Sequence, residues 1–242
     1  DGNYDIHLSV KADELQCIMV LSGSGKSTLI RHINRLIDPT SGKIWVDTAI
    51  NAKESTEGTV SNSAVASEEQ LPARNEKSSA INILALNDKE LQHYRQQTVS
   101  MVFQHFGLVP HMTVIQNVAY GLRVRKMSLK ERHEVARHWL NEVGLSNLER
   151  SYPDELSGGM QQRVGLARAL AMDNPILLMD EAFSALDPLI RAQLQDQLLE
   201  LQARLNKTIV FITHDIDEAI KVGQRISILN GGRLVQTGTP SD

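Results

Sequence analysis

Residues 20–28 read Val-Leu-Ser-Gly-Ser-Gly-Lys-Ser-Thr. The segment Gly23-Ser24-Gly25-Lys26-Ser27-Thr28 has the composition of a loop that holds a phosphate. Gly23 and Gly25 let the backbone come close to oxyanions, and successive N–H groups can then point inward. The run Thr28–Ile37 continues as a helix, whose N-terminus favours anions. Lys26 is placed to reach the β- and γ-phosphates of a nucleotide, and the Ser27 hydroxyl to ligate Mg²⁺. Thr28 adds a phosphate hydrogen bond. The phosphate-loop pattern G-x-x-x-x-G-K-[ST] has glycine at its first position, and this chain has Val20 there. Valine is β-branched and suits the last extended residue of a strand. If the loop needs positive φ or close packing at that position, valine strains it. Alone, the stretch also fits a Gly/Ser turn carrying an exposed lysine, so the rest of the chain must decide.

Four apolar runs share one feature. Cys17–Leu21 leads into the glycine loop, Val99–Phe103 ends at Gln104, Ile176–Met179 ends at Asp180-Glu181, and Thr208–Thr213 ends at His214. Each reads as a buried strand with a polar residue just past its carboxyl end. In open α/β sheets ligands bind along that edge. Asp180 and Glu181 are adjacent, so in a strand they point to opposite sides and suit two jobs. One carboxylate holds a metal through its water shell, and the other orients or deprotonates an attacking water. His214 can bind the γ-phosphate or position that water. Gln104 can offer its carbonyl to Mg²⁺ or to a water. Each residue taken singly also reads as a solvated polar group at a strand end.

The remaining organisation is that of an α/β chain. Short β-branched runs alternate with helical patterns, which predicts a largely parallel sheet. Ile6–Val10 is strand-like. Ser128 and Glu131 form a capping box for a helix with Leu129, Ala136, Trp139, Leu140 and Val143 on one face, stopped at Gly144. Leu194, Leu198, Leu201 and Leu205 mark a second amphipathic helix after Asp187-Pro188. Residues 225–236 read as a hairpin turning at Asn230-Gly231. Residues 51–80 are rich in Ser, Ala, Glu and Asn without apolar periodicity, and are expected to be a solvated, disordered insertion.

Composition narrows the classes. The 242 residues are 41% hydrophobic and 22% charged, as in globular proteins. A net charge of −4 argues against a nucleic-acid binder held by phosphate contacts. The one cysteine, Cys17, excludes an internal disulfide, and its apolar neighbours make it a buried structural thiol. No run approaches the roughly 18 consecutive apolar residues of a membrane span, and the opening does not read as a signal peptide. The start at Asp1, without methionine, suggests a fragment or a missing natural start.

Residues 156–161, Leu-Ser-Gly-Gly-Met-Gln, add a second anion site. Ser157 can cap a helix through Leu170, with Gly158 and Gly159 at its start. Two phosphate sites on one chain make sense if two chains sandwich ATP. Here the sequence resembles the nucleotide-binding subunit of an ABC transporter. Walker A lies at 20–28, the Q-loop at Gln104, the LSGG signature at 156–159 and Walker B at 176–181. The D-loop Ser184–Asp187 and the H-loop His214 follow in order. The resemblance covers nearly the whole chain outside the insertion.

The resemblance implies a single ABC ATPase domain over 1–242. Its P-loop NTPase core has a mostly parallel sheet, antiparallel β elements and a helical subdomain at about 105–165. Two such domains pair head to tail, as a homodimer or pseudo-dimer. Ser22, Gly23, Ser24, Gly25, Lys26, Ser27 and Thr28 of one hold ATP, while Ser157, Gly158 and Gly159 of the other close over its γ-phosphate. Ser27, Gln104 and Asp180 attend Mg²⁺, Glu181 is the general base, His214 senses the γ-phosphate, and Asp187 communicates across the dimer. Gln104 and His105–Met112 feel the transmembrane permease subunits, and an extracytoplasmic solute-binding protein acts indirectly. No nucleic-acid partner is expected. The implied location is the cytoplasmic face of a bacterial or archaeal membrane.

Asn34–Ile37, Tyr152–Met160 and Asp180–Arg191 look like importers of glycine betaine, proline betaine and related quaternary amines. The amine itself would be read by other subunits, so no aromatic cage is expected here. Three departures stand out: Val20, an apparently absent N-terminal strand with its adenine-stacking aromatic, and an end at Asp242 with no visible regulatory module. Tyr4 lies too close to Lys26 to be that aromatic and reads as a surface or packing residue. Two other readings remain: a soluble ABC ATPase acting on DNA, ribosomes or cluster assembly, and a degenerate, non-hydrolysing subunit.

Overall fold

The computed structural model describes residues 3–20, 26–47, 80–104, 107–184 and 186–242. Ser22, Gly23, Ser24, Gly25 and His105 lie outside the described residues, as do insertion residues 51–79 and the side chain of Lys26.

The central strands are β1 (Leu15–Val20), β4 (Val99–Val102), β5 (Ile176–Asp180), β6 (Thr208–Thr213), β7 (Arg225–Asn230) and β8 (Arg233–Gly238); β2 (Trp45–Asp47) and β3 (Ala80–Asn82) pair separately. The main sheet runs β4-β5-β6-β1-β7-β8. Pairings β4–β5, β5–β6, β6–β1 and β1–β7 are parallel, and β8 returns antiparallel to β7. The four apolar runs therefore lie side by side in one direction, and their carboxyl ends share an edge.

The sheet is covered on both faces, which is why its strands read as continuous apolar runs rather than alternating ones. Cys17, Met19, Leu177, Met179, Ile209 and Phe211 face one core. Their neighbours Ile18, Val20, Ile176, Leu178, Val210 and Ile212 face the other. The second core is closed by Ile30 of α1 (Lys26–Ile33), by Leu91 and Tyr94 of α2 (Asp88–Gln97), and by Val46 of β2. The first is closed by the remaining helices: α3 (Val114–Val118), α4 (Tyr120–Val124), α5 (Leu129–Glu142), α6 (Gly158–Ala171), α7 (Pro188–Leu205) and α8 (Ile216–Val222). Cys17 is fully buried there, and desolvation, with Glu218 nearby, pushes its thiol well above the ordinary range.

Local signals account for the boundaries. Ser128 accepts from the Glu131 amide at 3.3 Å while the Glu131 carboxylate accepts from the Ser128 amide at 3.2 Å, closing the capping box of α5. Gly144 follows that helix with φ +73°. The β7–β8 turn is made by Gly231 and Gly232, at φ +54° and +75°, one residue later than the expected Asn230-Gly231. Two consecutive positive φ values are the mirror-image turn that matches strand twist.

One expected strand is not formed. Ile6, Leu8 and Val10 are partly buried against the second core and alternate with exposed residues, but residues 3–10 join no ladder. Asp5, at φ +53°, turns the chain just before Ile6, and the Tyr4 amide donates to the Gly232 carbonyl at 2.7 Å. The period of two reports one-sided packing, which does not require strand pairing.

Candidate active site

At the shared edge, β1 leads towards α1, β4 ends before Gln104, β5 ends at Asp180, and β6 ends before His214. The C-terminus of α1 is pinned from α2. Tyr94 Oη donates to the Ile33 carbonyl at 2.8 Å, and Arg95 donates to the carbonyls of Asn34 and Arg35 at 3.0 and 2.5 Å. These bonds satisfy carbonyls that a helix end leaves without partners. They also fix α1, whose N-terminal turn carries Ser27 and Thr28.

Ser27 Oγ donates to Asp180 Oδ1 at 3.1 Å. Asp180 is 1% exposed, and Arg31, one turn along α1, brings its guanidinium within 3.8 Å of Oδ2. Glu181 does not continue the strand. Its φ is +46°, its amide donates to the Ile212 carbonyl of β6 at 3.0 Å, and its side chain is 4% exposed. The expectation that the two carboxylates point to opposite sides of one strand is therefore corrected: the chain leaves the extended conformation between them. The left-handed backbone costs a non-glycine residue about 1–3 kcal/mol and persists only where the surroundings hold it. Here Ser184 holds it, donating from both its amide and its hydroxyl to the Glu181 carbonyl at 3.2 and 2.9 Å.

The turn places the Glu181 carboxylate between two strand ends. Gln104 Nε2 donates to Oε2 at 3.0 Å, and His214 Nδ1 faces Oε1 at 3.3 Å. The His214 ring is half-exposed, at 54%. Ser27 and Asp180 thus form one pair, and Gln104 and His214 flank Glu181 beside it, all on one edge. Val20 is the last residue of β1, extended and 1% exposed within the second core, so it carries no left-handed strain.

Ser157, Gly158 and Gly159 open α6. Ser157 Oγ accepts from the Met160 amide at 3.3 Å, and Ser157 and Gly158 are exposed. A hydroxyl that accepts from the helix retains its own proton to donate outward. A Cβ on Gly159 would stand 2.9 Å from Ile190 Cγ2 of α7, so this end of α6 packs directly on the first turn of α7. Asp187 caps that turn, accepting from the Ile190 amide at 3.1 Å.

Several organising residues escaped sequence reasoning. Asn117, fully buried, donates to the carbonyls of Val109, Met112 and Thr113 and accepts from the Val109 amide, fixing the segment after Gln104. Arg168 of α6 donates to the Gly107 carbonyl at 2.7 Å, and burial lowers its pKa. Glu218 of α8 is buried and accepts from Gln195 of α7 at 3.0 Å and from Thr213, the residue before His214. Their signal is tertiary: a polar residue on an otherwise apolar helix face gives no hint of which loop it will reach.

The profile of the ABC transporter family matches residues 4–184. The glycine betaine/proline betaine transport system ATP-binding protein ProV of Escherichia coli is 47% identical over 241 residues, covering 100% of this chain and 52% of that protein. The glycine betaine/carnitine transport ATP-binding protein GbuA of Listeria monocytogenes is 50% identical over 234 residues, covering 97% of this chain and 51% of that protein. The chain spans about half the length of the curated relatives it matches. Among solved structures, a dimeric ATP-binding cassette in a post-hydrolysis state bound to ADP and Pi matches with a TM-score of 0.79 at 32% identity, covering 98% of this chain and 90% of that one.

Proposed function

The chain belongs to the ABC transporter family, and from that premise we propose that it is the ATP-hydrolysing subunit of a quaternary-amine importer, working as a head-to-tail pair. The observation that carries the proposal is the Glu181 carboxylate, buried and held between Gln104 and His214 beside the Ser27–Asp180 pair. The dimeric relative bound to ADP and Pi supports the paired arrangement. The names of the curated relatives support glycine betaine or a related amine as the solute.

ATP is the substrate, its phosphates lying against residues 22–28, with Ser157, Gly158 and Gly159 of a second copy over the γ-phosphate. Glu181 accepts the proton of the attacking water at its carboxylate. Gln104 and His214 keep that carboxylate aimed, and the exposed side of the His214 ring addresses the γ-phosphate. Mg²⁺ suits the donors present. Ser27 and Asp180 offer hard oxygens of the kind Mg²⁺ takes. Ser27 and Asp180 would hold it, with Gln104 adjoining, and when bound it neutralises charge on the β- and γ-oxygens.

Among the described residues no helix is long and apolar enough to cross a membrane. Separate permease subunits would supply the path, with the chain against their cytoplasmic face and the segment after Gln104 as the contact. The reading as a non-hydrolysing subunit loses one of its motives, because Val20 occupies an ordinary core position.

The test is Mg-ATP hydrolysis by the purified chain and by Glu181→Gln. The parent should turn over slowly. The variant should lose at least about 10²-fold in turnover, the scale of a general base, while still binding ATP. A parent that binds no nucleotide, or a variant as fast as the parent, would overturn the proposal.

A further inference from the structure

Glu181 and His214 lie on two different loops, one between β5 and α7 and the other between β6 and α8. Their 3.3 Å approach requires the two loops to stay in register. Arg191, in the first turn of α7, joins them. Its Nη1 donates to Asp215 Oδ2 at 3.1 Å, one residue after His214. Its Nη2 donates to the Leu186 carbonyl at 3.1 Å and reaches the Ser184 carbonyl at 3.5 Å. Ser184 is the residue that holds the left-handed turn at Glu181. Asp215 is held on its other oxygen too, where Oδ1 accepts from the amides of Asp217 and Glu218 at the start of α8. One guanidinium therefore spans the loop behind Glu181 and the loop behind His214.

We propose that Arg191 is a positioning residue for hydrolysis: its guanidinium sets the Glu181–His214 contact by clamping Ser184 and Leu186 to Asp215. The proposal takes its meaning for catalysis from the ATPase reading above, but its geometric core is independent of it. Arg191 acts through the two loops, by its bonds to Asp215, Ser184 and Leu186. A planar fork is needed, because one group must meet a carboxylate and backbone carbonyls at fixed angles. Lysine, a single point charge, keeps the ion pair and loses the second arm.

The test uses the 242-residue chain with isotope-labelled histidine, the His214 ring signal being assigned by its disappearance in His214→Gln. Without nucleotide, Arg191→Ala should shift or broaden the His214 signal while the other seven histidines and the far-UV spectrum stay unchanged. Arg191→Lys should fall between parent and alanine variant. With Mg-ATP, kcat should fall about 10- to 100-fold in Arg191→Ala, the scale of a small misplacement, with the ATP dissociation constant within about twofold. An unmoved His214 signal in Arg191→Ala overturns the clamp whether or not the chain hydrolyses ATP. A moved signal with unchanged kcat overturns its role in hydrolysis. A parent without ATPase activity counts against the proposed function and leaves the spectral arm to decide the clamp.

Discussion

At residue 20 the sequence pattern and the fold point in different directions, and the fold decides. Read against a phosphate-loop pattern, Val20 is a defect. In the structure it is the last strand residue, paired with Leu229 and buried with Ile18, Ile30 and Ile212. Restoring glycine removes a buried valine, about 1.5–3 kcal/mol, and loosens a strand position by a further 0.5–1 kcal/mol or so. Val20→Gly should therefore lower the urea midpoint by an amount equivalent to roughly 2–4 kcal/mol, with no tightening of ATP binding. A variant that is as stable as the parent and binds ATP more tightly would show that the loop was strained after all. Glu181 is the opposite case. Its place at a strand end could be read from the apolar run before it, but its left-handed backbone could not, because that conformation is imposed by Ser184 and the Ile212 carbonyl, which are distant or unremarkable in sequence.

At the scale of elements, legibility followed the range of the interaction. The box at Ser128–Glu131 was plain because both partners sit within one turn. The cap at Ser157 was plain for the same reason. The four parallel strands β1, β4, β5 and β6 were legible as apolar runs because burial on both faces leaves no polar alternation. Ile6–Val10 misled, since alternation records which side is buried and says nothing of pairing. The C-terminus of α7 went unread. Asn206 ends it in the left-handed region, φ +48° and ψ +46°, with its amide donating to the Gln202 carbonyl at 3.0 Å. Asparagine tolerates this conformation, which costs most other residues about 1–2 kcal/mol. Asn206→Ala should lower stability by about 1 kcal/mol and Asn206→Gly should hold or raise it, read from urea midpoints of the three chains. Equal loss in both variants would mean the side chain, rather than the backbone, secures the helix end.

At the scale of the whole molecule, the parallel sheet converts separate strand ends into one edge. Ser27, Gln104, Asp180, Glu181 and His214 are spread over 188 sequence positions, from 27 to 214, yet come together through two hydrogen bonds and the close approach of His214 to Glu181. The signature helix is another matter. Ser157 and Gly158 are exposed at the start of α6, with a hydroxyl proton available outward. An exposed, capped helix start of this kind is suited to an anion brought by a second copy. The account thus turns on ATP being shared between two chains, and size-exclusion chromatography of Glu181→Gln with and without Mg-ATP tests it most directly. We predict elution as a monomer without nucleotide and as a dimer with ATP, the dimer reverting to monomer when Ser157 is also replaced by a bulky residue such as phenylalanine. Elution of Glu181→Gln as a monomer at saturating Mg-ATP, with nucleotide demonstrably bound, would contradict it.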